Sequence, residues 1–311
     1  MVQILFLIIR SARPIQWIKN LALFTGLIFT GWLFYPDKFI RVFIAAIIFS
    51  ILTSAVYIFN DLLDIEQDKL HPLKKNRPLA SGKLPIPLAV FVTIGSAFLA
   101  LFLAANLSFF FFLVCLAYIL LHFLYTSKIK HIPILDVLAL ASGFILRVYA
   151  GAVVIDTHIN IWLLLCIISF SLFLAVGKRR SELTLLSGKE VLGKTRKVLF
   201  SYPEKLLDLY ISMFATTTWL TYAWYTFVHP SLKISPRLII IWADIPQTFR
   251  SQKWLMATIP LVIYGVMRYL QLIYEKNEGE SPAKVLVTDK PLLGTVIIWG
   301  LMVIGITYGL N

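Results

Sequence analysis

Long stretches without charge constrain the fold of this chain more than any other feature. Residues 84–127 contain no Asp, Glu, Lys or Arg, and a transmembrane helix needs about 20 apolar residues. Of the 311 residues, 59% are hydrophobic and 14% are charged, whereas about 25% are charged in an ordinary soluble domain. This composition excludes a soluble enzyme, a disordered chain and a disulfide-stapled secreted domain. The long apolar runs also argue against a transmembrane β-barrel.

The hydrophobic pattern predicts an all-α membrane protein with about nine transmembrane helices, in one polytopic domain over residues 1–311. Residues 1–19 are predicted to form an amphipathic helix at the membrane surface. The predicted spans are 20–36, 40–59, 86–105, 107–126, 134–155, 159–177, 209–228, 254–272 and 291–309.

Basic residues are distributed unevenly between the two ends of these spans. If the N-terminus is cytoplasmic, 22 of the 29 Lys and Arg lie on the cytoplasmic side and 6 on the outer side. Such a bias sets membrane orientation, so we expect a multi-pass protein of the plasma (inner) membrane with a cytoplasmic N-terminus. The net charge of +13 then indicates no nucleic-acid partner. The predicted cytoplasmic loops are 61–85, 127–133, 178–208 and 273–290.

The first of these loops begins with a dense acidic motif. Asp61, Asp64 and Asp68 follow Asn60 and share one face if the segment is helical. Carboxylate and amide oxygens are hard ligands that suit Mg²⁺, which keeps part of its coordination shell for phosphate and water. The sequence therefore predicts a magnesium site, and the alternative is a solvated acidic helix end.

Basic residues follow this acidic motif directly. Lys74, Lys75 and Arg77 lie within ten residues of Asp68. Acids next to bases suit a metal-bound diphosphate, with the metal on one side and cations on the other. The alternative is a basic membrane anchor, but its position beside the aspartates favours the binding function.

Other charged residues lie at the ends of spans or inside them. Arg147 falls within a predicted span, where a charge needs a partner or a wet cavity, so it pairs either with a phosphate or with an internal acid. Lys178 and Arg179 either face a cavity or only set the topology. Lys19 either reaches an anionic headgroup or anchors the chain at the interface. Two further candidates at the start of the span 134–155 are Lys128 and Asp136.

Several common catalytic patterns are missing from the sequence. Its five histidines have no metal-ligand spacing, and no nucleophile elbow, P-loop or dinucleotide fingerprint occurs. Cys115 and Cys166 lie in apolar runs and are interpreted as packing residues. These absences leave the acidic and basic motifs as the candidate chemistry.

Two nearby segments resemble the first aspartate-rich motif of the UbiA superfamily of intramembrane prenyltransferases. They are residues 60–68, with the pattern Asn-Asp-x-x-Asp-x-x-x-Asp, and residues 77–82, with the sequence Arg-Pro-Leu-Ala-Ser-Gly. Within that superfamily, the segments 13–20, 136–151 and 177–183 are similar to those of the decaprenyl-phosphate phosphoribosyltransferases. The resemblance implies a UbiA-type helical bundle with a cytoplasm-facing active site. The resemblance to these transferases does not extend to residues 189–197 and 229–253.

The resemblance also implies an activity, which is Mg²⁺-dependent transfer of 5-phosphoribose from phosphoribosyl pyrophosphate to a polyprenyl phosphate, with release of pyrophosphate. The implied catalytic residues are Asp61, Asp64 and Asp68, and these three hold Mg²⁺ together with Asn60. The bilayer is a further partner, and a homo-oligomer is compatible with the sequence. The implied substrate-binding residues are Lys19, Asn60, Lys74, Lys75, Arg77, Lys128, Asp136, Arg147, Lys178 and Arg179.

Two other functions are alternatives to this phosphoribosyl transfer. An aromatic prenyltransferase of the same superfamily would bind a prenyl diphosphate at the same Mg²⁺ site and use an acceptor such as 4-hydroxybenzoate, but it has less need for Arg147 and the basic residues 178–180. A transporter or lipid-binding scaffold is disfavoured because the acidic motif lies at a helix end, whereas transporters place such charges near the membrane midplane.

Overall fold

Helices make up the regular structure of the computed structural model, which describes residues 2–71, 74–186, 197–229, 253–276 and 281–309. The α-helices are α1 (Val2–Ala12), α2 (Phe24–Phe29), α3 (Pro36–Leu63), α4 (Ile65–Leu70), α5 (Ile86–Leu107), α6 (Phe109–Ser127), α7 (Leu135–Val154), α8 (Ile161–Leu186), α9 (Glu204–Val228), α10 (Ile259–Lys276), α11 (Pro282–Thr288) and α12 (Lys290–Gly309). Short 3₁₀ segments lie between them at Pro14–Leu23, Lys74–Asn76, Ile129–His131, Lys197–Ser201 and Trp254–Thr258.

Seven helical segments in the described residues are long and apolar enough to cross a membrane. They are α3, α5, α6, α7, α8, α10 with its preceding 3₁₀ turn, and α12. The predicted span 20–36 is instead a 3₁₀ segment followed by the short helix α2. Helix α9 has 25 residues, but Thr, Tyr and Trp lower its hydropathy. The all-α membrane architecture is confirmed, and the count of nine spans stays a prediction.

Local sequence explains where several helices begin. Pro36 occupies the first turn of α3 after an extended Tyr35, and α5 begins after the extended Pro85. Proline suits a helix start because it lacks the N–H that would be unsatisfied there. A single extended residue, Ser108, separates α5 from α6. These two helices therefore form a hairpin, as the adjacent predicted spans 86–105 and 107–126 require.

Helix α8 extends further than the sequence indicates. It continues to Leu186, nine residues beyond the predicted end at residue 177. The charged residues after Gly177 remain helical because Arg179 and Glu182, three residues apart on one face, form a buried ion pair. Part of the predicted loop 178–208 is therefore helix, and residues 187–196 of it lie outside the described residues.

The bundle has two main hydrophobic cores that meet at α7. One core lies among α2, α3, α5, α6 and α7, and the other joins α7 to α8, α9, α10, α11 and α12. Gly151 of α7 lies against the backbone of Leu23, because a Cβ at Gly151 would come within 1.8 Å of the Leu23 carbonyl oxygen. This contact holds the 3₁₀ segment Pro14–Leu23 against α7, beside the candidate site.

The N-terminal helix α1 exposes a strip of apolar side chains. Ile4, Leu5, Phe6 and Ile9 are all exposed, while Leu7 and Ile8 pack against the small core around the end of α3. An apolar exposed strip on a short helix suits the membrane interface. Helix α1 thus lies beside the end of the bundle that carries the acidic motif.

Candidate active site

The acidic motif lies at the junction of α3 and α4. Helix α3 ends at Leu63, Asp64 breaks the helical geometry, and α4 begins at Ile65. Asp61 and Asp68 are 2% and 5% exposed, so both carboxylates need compensating partners. Burial raises the pKa of Asp68, and the neighbouring Arg77 guanidinium opposes that rise.

Arginine side chains supply these partners. The Nη1 atom of Arg77 donates to Oδ1 of Asp61 at 3.0 Å and to Oδ2 of Asp68 at 2.6 Å. Arg13 donates a further hydrogen bond to Asp61. The structure therefore brings Asp61, Asp68 and Arg77 together as the sequence predicts, and it adds Arg13, which the predicted site did not include.

The other two residues of the motif face the end of α6 and the loop that follows it. Lys130 Nζ donates to Asp64 Oδ1 at 2.5 Å, and the Thr126 hydroxyl donates to Asn60 Oδ1. Lys130 is buried, whereas Lys128 is exposed and makes no hydrogen bond or ion pair to a described residue. Lys130, and not the predicted substrate ligand Lys128, therefore lies at the acidic motif, since the turn Ile129–His131 points only Lys130 inward.

Arg147 is a buried cation without an acidic partner among the described residues. Its guanidinium donates to Asn20 Oδ1 at 3.0 Å, to the Gly143 carbonyl at 2.6 Å and to the Tyr118 hydroxyl at 2.6 Å. These partners are neutral, so the internal salt bridge that the sequence left open is not formed there. The charge of Arg147 therefore remains uncompensated within the described part of the chain.

Two more polar side chains, which have no anionic partner among the described residues, lie next to Arg147. Lys19 is close enough to Arg147 and Arg13 for electrostatic repulsion, and it makes no hydrogen bond or ion pair to a described residue. Both ring nitrogens of His122 are buried without a hydrogen-bond partner. Lys19, Arg147 and Lys178 all act on His122 electrostatically. We call Lys19, His122, Arg147 and Lys178 the cationic pocket.

Asp136 and Arg179 do not face this pocket. Both side chains are 0% exposed and they pair at 2.5 Å, and Arg179 also pairs with Glu182 at 2.5 Å. The remaining Arg179 nitrogen donates to the Tyr125 hydroxyl at 3.0 Å. The structure thus places the two predicted substrate ligands Asp136 and Arg179 in a buried ion-pair network. Their hydrogen-bonding groups already serve each other in a buried network.

Tyr202 completes this network from the segment before α9. Its hydroxyl donates to Asp136 Oδ1 at 2.6 Å and accepts from the backbone N–H of Ile134 at 2.5 Å. Burial and the hydrogen bond to Asp136 raise the pKa of the Tyr202 phenol, which keeps its proton. Ile134 has a φ of +70°, which side-chain-bearing residues rarely adopt. Tyr202 thus holds an unfavourable turn between Lys130 and α7.

The other predicted basic residues differ in their surroundings. Lys74 is half-buried and acts electrostatically on Asp68, whereas Lys75 is exposed. Next to Arg179 on α8, Arg180 pairs with Asp208 at 2.8 Å. Of the three adjacent cations 178–180, only Lys178 belongs to the cationic pocket.

The amino-acid sequence matches the model of a known protein family. The model of the UbiA prenyltransferase family aligns with residues 21–287 of the chain. The chain belongs to the UbiA prenyltransferase family. It is therefore a transferase, and the sequence resemblance is confirmed.

Its curated relatives within the UbiA family share most of its length. The decaprenyl-phosphate phosphoribosyltransferase of Corynebacterium glutamicum is 31% identical over 96% of this chain and 86% of the relative. The enzyme of the same name from Mycolicibacterium smegmatis is 30% identical over 94% of this chain and 89% of the relative. Both alignments cover nearly the whole chain.

A solved UbiA-family structure has the same fold. The UbiA homologue of Archaeoglobus fulgidus, in its complex with GPP and Mg²⁺, superposes with a TM-score of 0.68 at 20% identity, over 96% of this chain and 99% of that one. The complex of that protein with DMAPP and Mg²⁺ gives a TM-score of 0.67. These superpositions establish the UbiA fold for the described residues.

The acidic motif of this UbiA-family chain suits a divalent cation in its donor chemistry. One positively charged nitrogen, Nη1 of Arg77, lies within hydrogen-bond distance of both Asp61 and Asp68. The two carboxylates are therefore bridged by a single cationic nitrogen. No group of three or more His, Cys, Asp or Glu side chains that could hold a metal converges among the described residues, and Arg13, Arg77 and Lys130 each pair with at least one of the three aspartates.

Proposed function

We propose that this chain transfers 5-phosphoribose from phosphoribosyl pyrophosphate to a polyprenyl phosphate in a Mg²⁺-dependent reaction. The observation that carries the proposal is the pairing of two anion sites of different character. One combines carboxylates with basic residues, as a metal-bound diphosphate requires. The other is the cationic pocket, whose buried Arg147 has no acidic partner among the described residues. Two phosphorylated substrates would fill both.

The donor would bind at the acidic motif. Asn60, Asp61, Asp64 and Asp68 would hold Mg²⁺, which when bound neutralises charge on the departing pyrophosphate. Arg77 and Lys74 would hold the donor's phosphates beside them. The bond between C1 of the ribose and the pyrophosphate oxygen breaks, and pyrophosphate leaves with the electron pair. These residues thus stabilise the charge that develops on the leaving group.

The acceptor phosphate would bind in the cationic pocket. Arg147 is held in place by Asn20 and Tyr118, so its guanidinium is oriented before the phosphate arrives. Lys19 would add a second charge to the same anion. An oxygen of the polyprenyl phosphate forms the new bond to C1, and because this phosphate is already ionised near pH 7, it needs no general base. This agrees with a site whose acids are all paired with basic residues.

The named relatives support phosphoribosyl transfer, whereas a solved structure with the same fold supports a second candidate function. Relatives named decaprenyl-phosphate phosphoribosyltransferase align over almost the entire chain, which favours the phosphoribosyl donor. The archaeal UbiA homologue was solved with GPP and Mg²⁺, which favours a prenyl diphosphate donor in that protein. Prenyl transfer to an aromatic acceptor is therefore the second candidate function here.

The proposed activity is tested with the full chain in detergent. One reaction contains labelled phosphoribosyl pyrophosphate and a polyprenyl phosphate, and a second contains labelled polyprenyl diphosphate and 4-hydroxybenzoate, each with Mg²⁺ or with a chelator. We expect radiolabelled lipid product in the first reaction only, abolished by the chelator. Product in the second reaction alone would replace phosphoribosyl transfer by aromatic prenyl transfer. Transfer that survives the chelator would contradict the metal requirement.

A further inference from the structure

Each aspartate of the acidic motif is neutralised by a basic side chain of the protein itself. Arg13 and Arg77 pair with Asp61, Arg77 also pairs with Asp68, and Lys130 pairs with Asp64. Three carboxylates thus face three cations in a largely buried cluster. One oxygen of each aspartate is thus in contact with a protein nitrogen.

Arg13 differs from the other two cations in its backbone and its surroundings. It is the residue between α1 and the 3₁₀ segment Pro14–Leu23, and it has left-handed dihedral angles, with φ 55° and ψ 63°. Such a conformation is unfavourable for a residue with a side chain. Its guanidinium lies 5.0 Å from the ring centre of Tyr57, and its side chain is 25% exposed. Arg13 is therefore held at a chain junction by its ion pair with Asp61 and remains partly accessible to solvent.

The charge balance of the cluster decides which ligand can enter. A divalent cation alone would add two positive charges to a cluster that is already neutral, next to Lys19 and Arg147. That addition is unfavourable in surroundings with little water. Mg²⁺ bound to a diphosphate carries a net negative charge instead. Its metal can take the carboxylates while its phosphate oxygens accept the hydrogen bonds that the arginines give up.

We propose that Arg13, Arg77 and Lys130 are exchangeable counter-ions that keep free metal out of the acidic motif and admit it only together with a diphosphate. This inference rests on the proposed metal site and describes how that site is regulated. In the empty site the three cations neutralise the aspartates. When the metal and diphosphate enter, Arg13 and Arg77 turn from the carboxylates to the phosphate oxygens. Arg13 is thus a positioning and charge-balancing residue that also contacts the donor.

The exchange is tested by metal binding and not by turnover. The full chain in detergent at pH 8 is dialysed to equilibrium against radioactive Mn²⁺ at a buffered free concentration, with or without inorganic pyrophosphate. For the wild-type chain we expect weak metal binding alone and an apparent affinity about tenfold higher with pyrophosphate. Arg13→Gln should bind the metal alone about tenfold more tightly than wild type. The same variant should gain less from pyrophosphate.

Two variants make this result interpretable. Arg10→Gln removes the same charge from an exposed residue of α1 that has no ion pair in the described residues, and it should behave as wild type. Lys130→Gln frees Asp64 by an independent substitution, and it should also tighten binding of the metal alone. If Arg13→Gln is not monodisperse in size-exclusion chromatography, metal binding by Lys130→Gln alone tests the proposal.

The possible outcomes separate this inference from the proposed function. Wild-type chain that binds no Mn²⁺ in either condition would overturn the metal site and the exchange together. Wild-type chain that binds Mn²⁺ equally well with and without pyrophosphate would overturn the exchange alone. So would folded Arg13→Gln or Lys130→Gln chains that bind the metal alone no more tightly than wild type.

Discussion

At the scale of single residues, Asp61 occupies the centre of the acidic motif. It accepts hydrogen bonds from Arg13 and Arg77 and is nearly inaccessible to solvent. Glu66, five residues later in the same motif, has a side chain that is 84% exposed and pairs with Lys69. The two acids therefore offer a matched comparison between a site carboxylate and a surface carboxylate.

We expect Asp61→Asn to reduce kcat/KM by about 100-fold or more, because it removes one charged metal ligand from the site that stabilises the leaving group. Glu66→Gln should leave kcat/KM within about twofold, as expected for an exposed surface pair. Steady-state transfer assays at saturating Mg²⁺ measure both. An equal reduction of kcat/KM in the two variants would show that the total negative charge of the segment matters, and not the buried carboxylate of Asp61.

Arg147→Met tests the second anion site. Because the partners of Arg147 among the described residues are all neutral, we expect the KM for polyprenyl phosphate to rise about tenfold or more, with a smaller change in the KM for the sugar donor. The matched control is Arg41→Met, which removes an exposed arginine near the start of α3. A selective rise in the donor's KM would instead place the 5-phosphate of the donor at Arg147.

The charged residues of the site could be predicted from the sequence only in part. Asp61 and Arg77 stand out because they belong to a dense charged motif, and Arg147 stands out because charge is rare within an apolar span. Arg179 stands out equally, yet it pairs with Asp136, 43 residues away, and no local pattern reveals that contact. A cation paired inside the protein and a cation that awaits a ligand look the same in a sequence.

The residues that the prediction missed have a different explanation. Lys130 was overlooked in favour of Lys128 because a short 3₁₀ turn decides which of the two points inward. His122 lies in an uninterrupted apolar run, and its unpartnered nitrogens become visible only when α6 is packed against α7. Arg13 was part of a recognised segment, but its ion pair with Asp61 joins residues 48 positions apart.

At the scale of elements, the buried network around Arg179 joins four parts of the chain. Tyr125 of α6, Asp136 of α7, and Arg179 and Glu182 of α8 meet Tyr202 from the segment before α9. The same end of α6 and the following loop carry Thr126 and Lys130 to the acidic motif. The network therefore fixes the geometry of two contacts in the site without touching the proposed substrates.

We expect Tyr202→Phe to lower stability by about 1–2 kcal/mol, because it leaves the Ile134 N–H and one Asp136 oxygen without their partner. Tyr210→Phe is the matched control, since the Tyr210 hydroxyl has no hydrogen bond to a described residue and the ring is half-buried. Thermal unfolding in detergent, followed by tryptophan fluorescence, gives the comparison. A Tyr202→Phe chain as stable as the control would mean that water replaces the phenol.

The ends of elements were harder to predict than their existence. Hydrophobic runs located the cores of α3, α5, α6, α7 and α8 because apolar length is what a membrane-spanning helix requires. They did not locate the end of α8, since the charged residues 178–182 interrupt the apolar run and stay helical through a buried ion pair. They also did not show that residues 14–29 form a 3₁₀ segment and a short helix, because Gly151 of α7 permits that close packing only in three dimensions.

At the scale of the whole molecule, we propose that the end of the bundle with the acidic motif faces the cytoplasm, because basic residues are in excess there. Positive charge favours the cytoplasmic side. Lys83 is exposed at this end, and Asn106 is exposed at the opposite end of α5. With both native cysteines replaced, a membrane-impermeant maleimide should label Asn106→Cys in intact cells and Lys83→Cys only after permeabilisation. The reverse pattern would place the site outside the cell.

The central claim is that a sugar phosphate, and not an isoprenoid, is the group transferred. The most direct test supplies vesicles that contain the full chain with all four substrates together, which are phosphoribosyl pyrophosphate, polyprenyl phosphate, polyprenyl diphosphate and 4-hydroxybenzoate. Mass spectrometry of the extracted lipid then identifies the product. We expect the product to be polyprenyl phosphate that carries one phosphoribosyl group. A polyprenylated hydroxybenzoate without that product would contradict it.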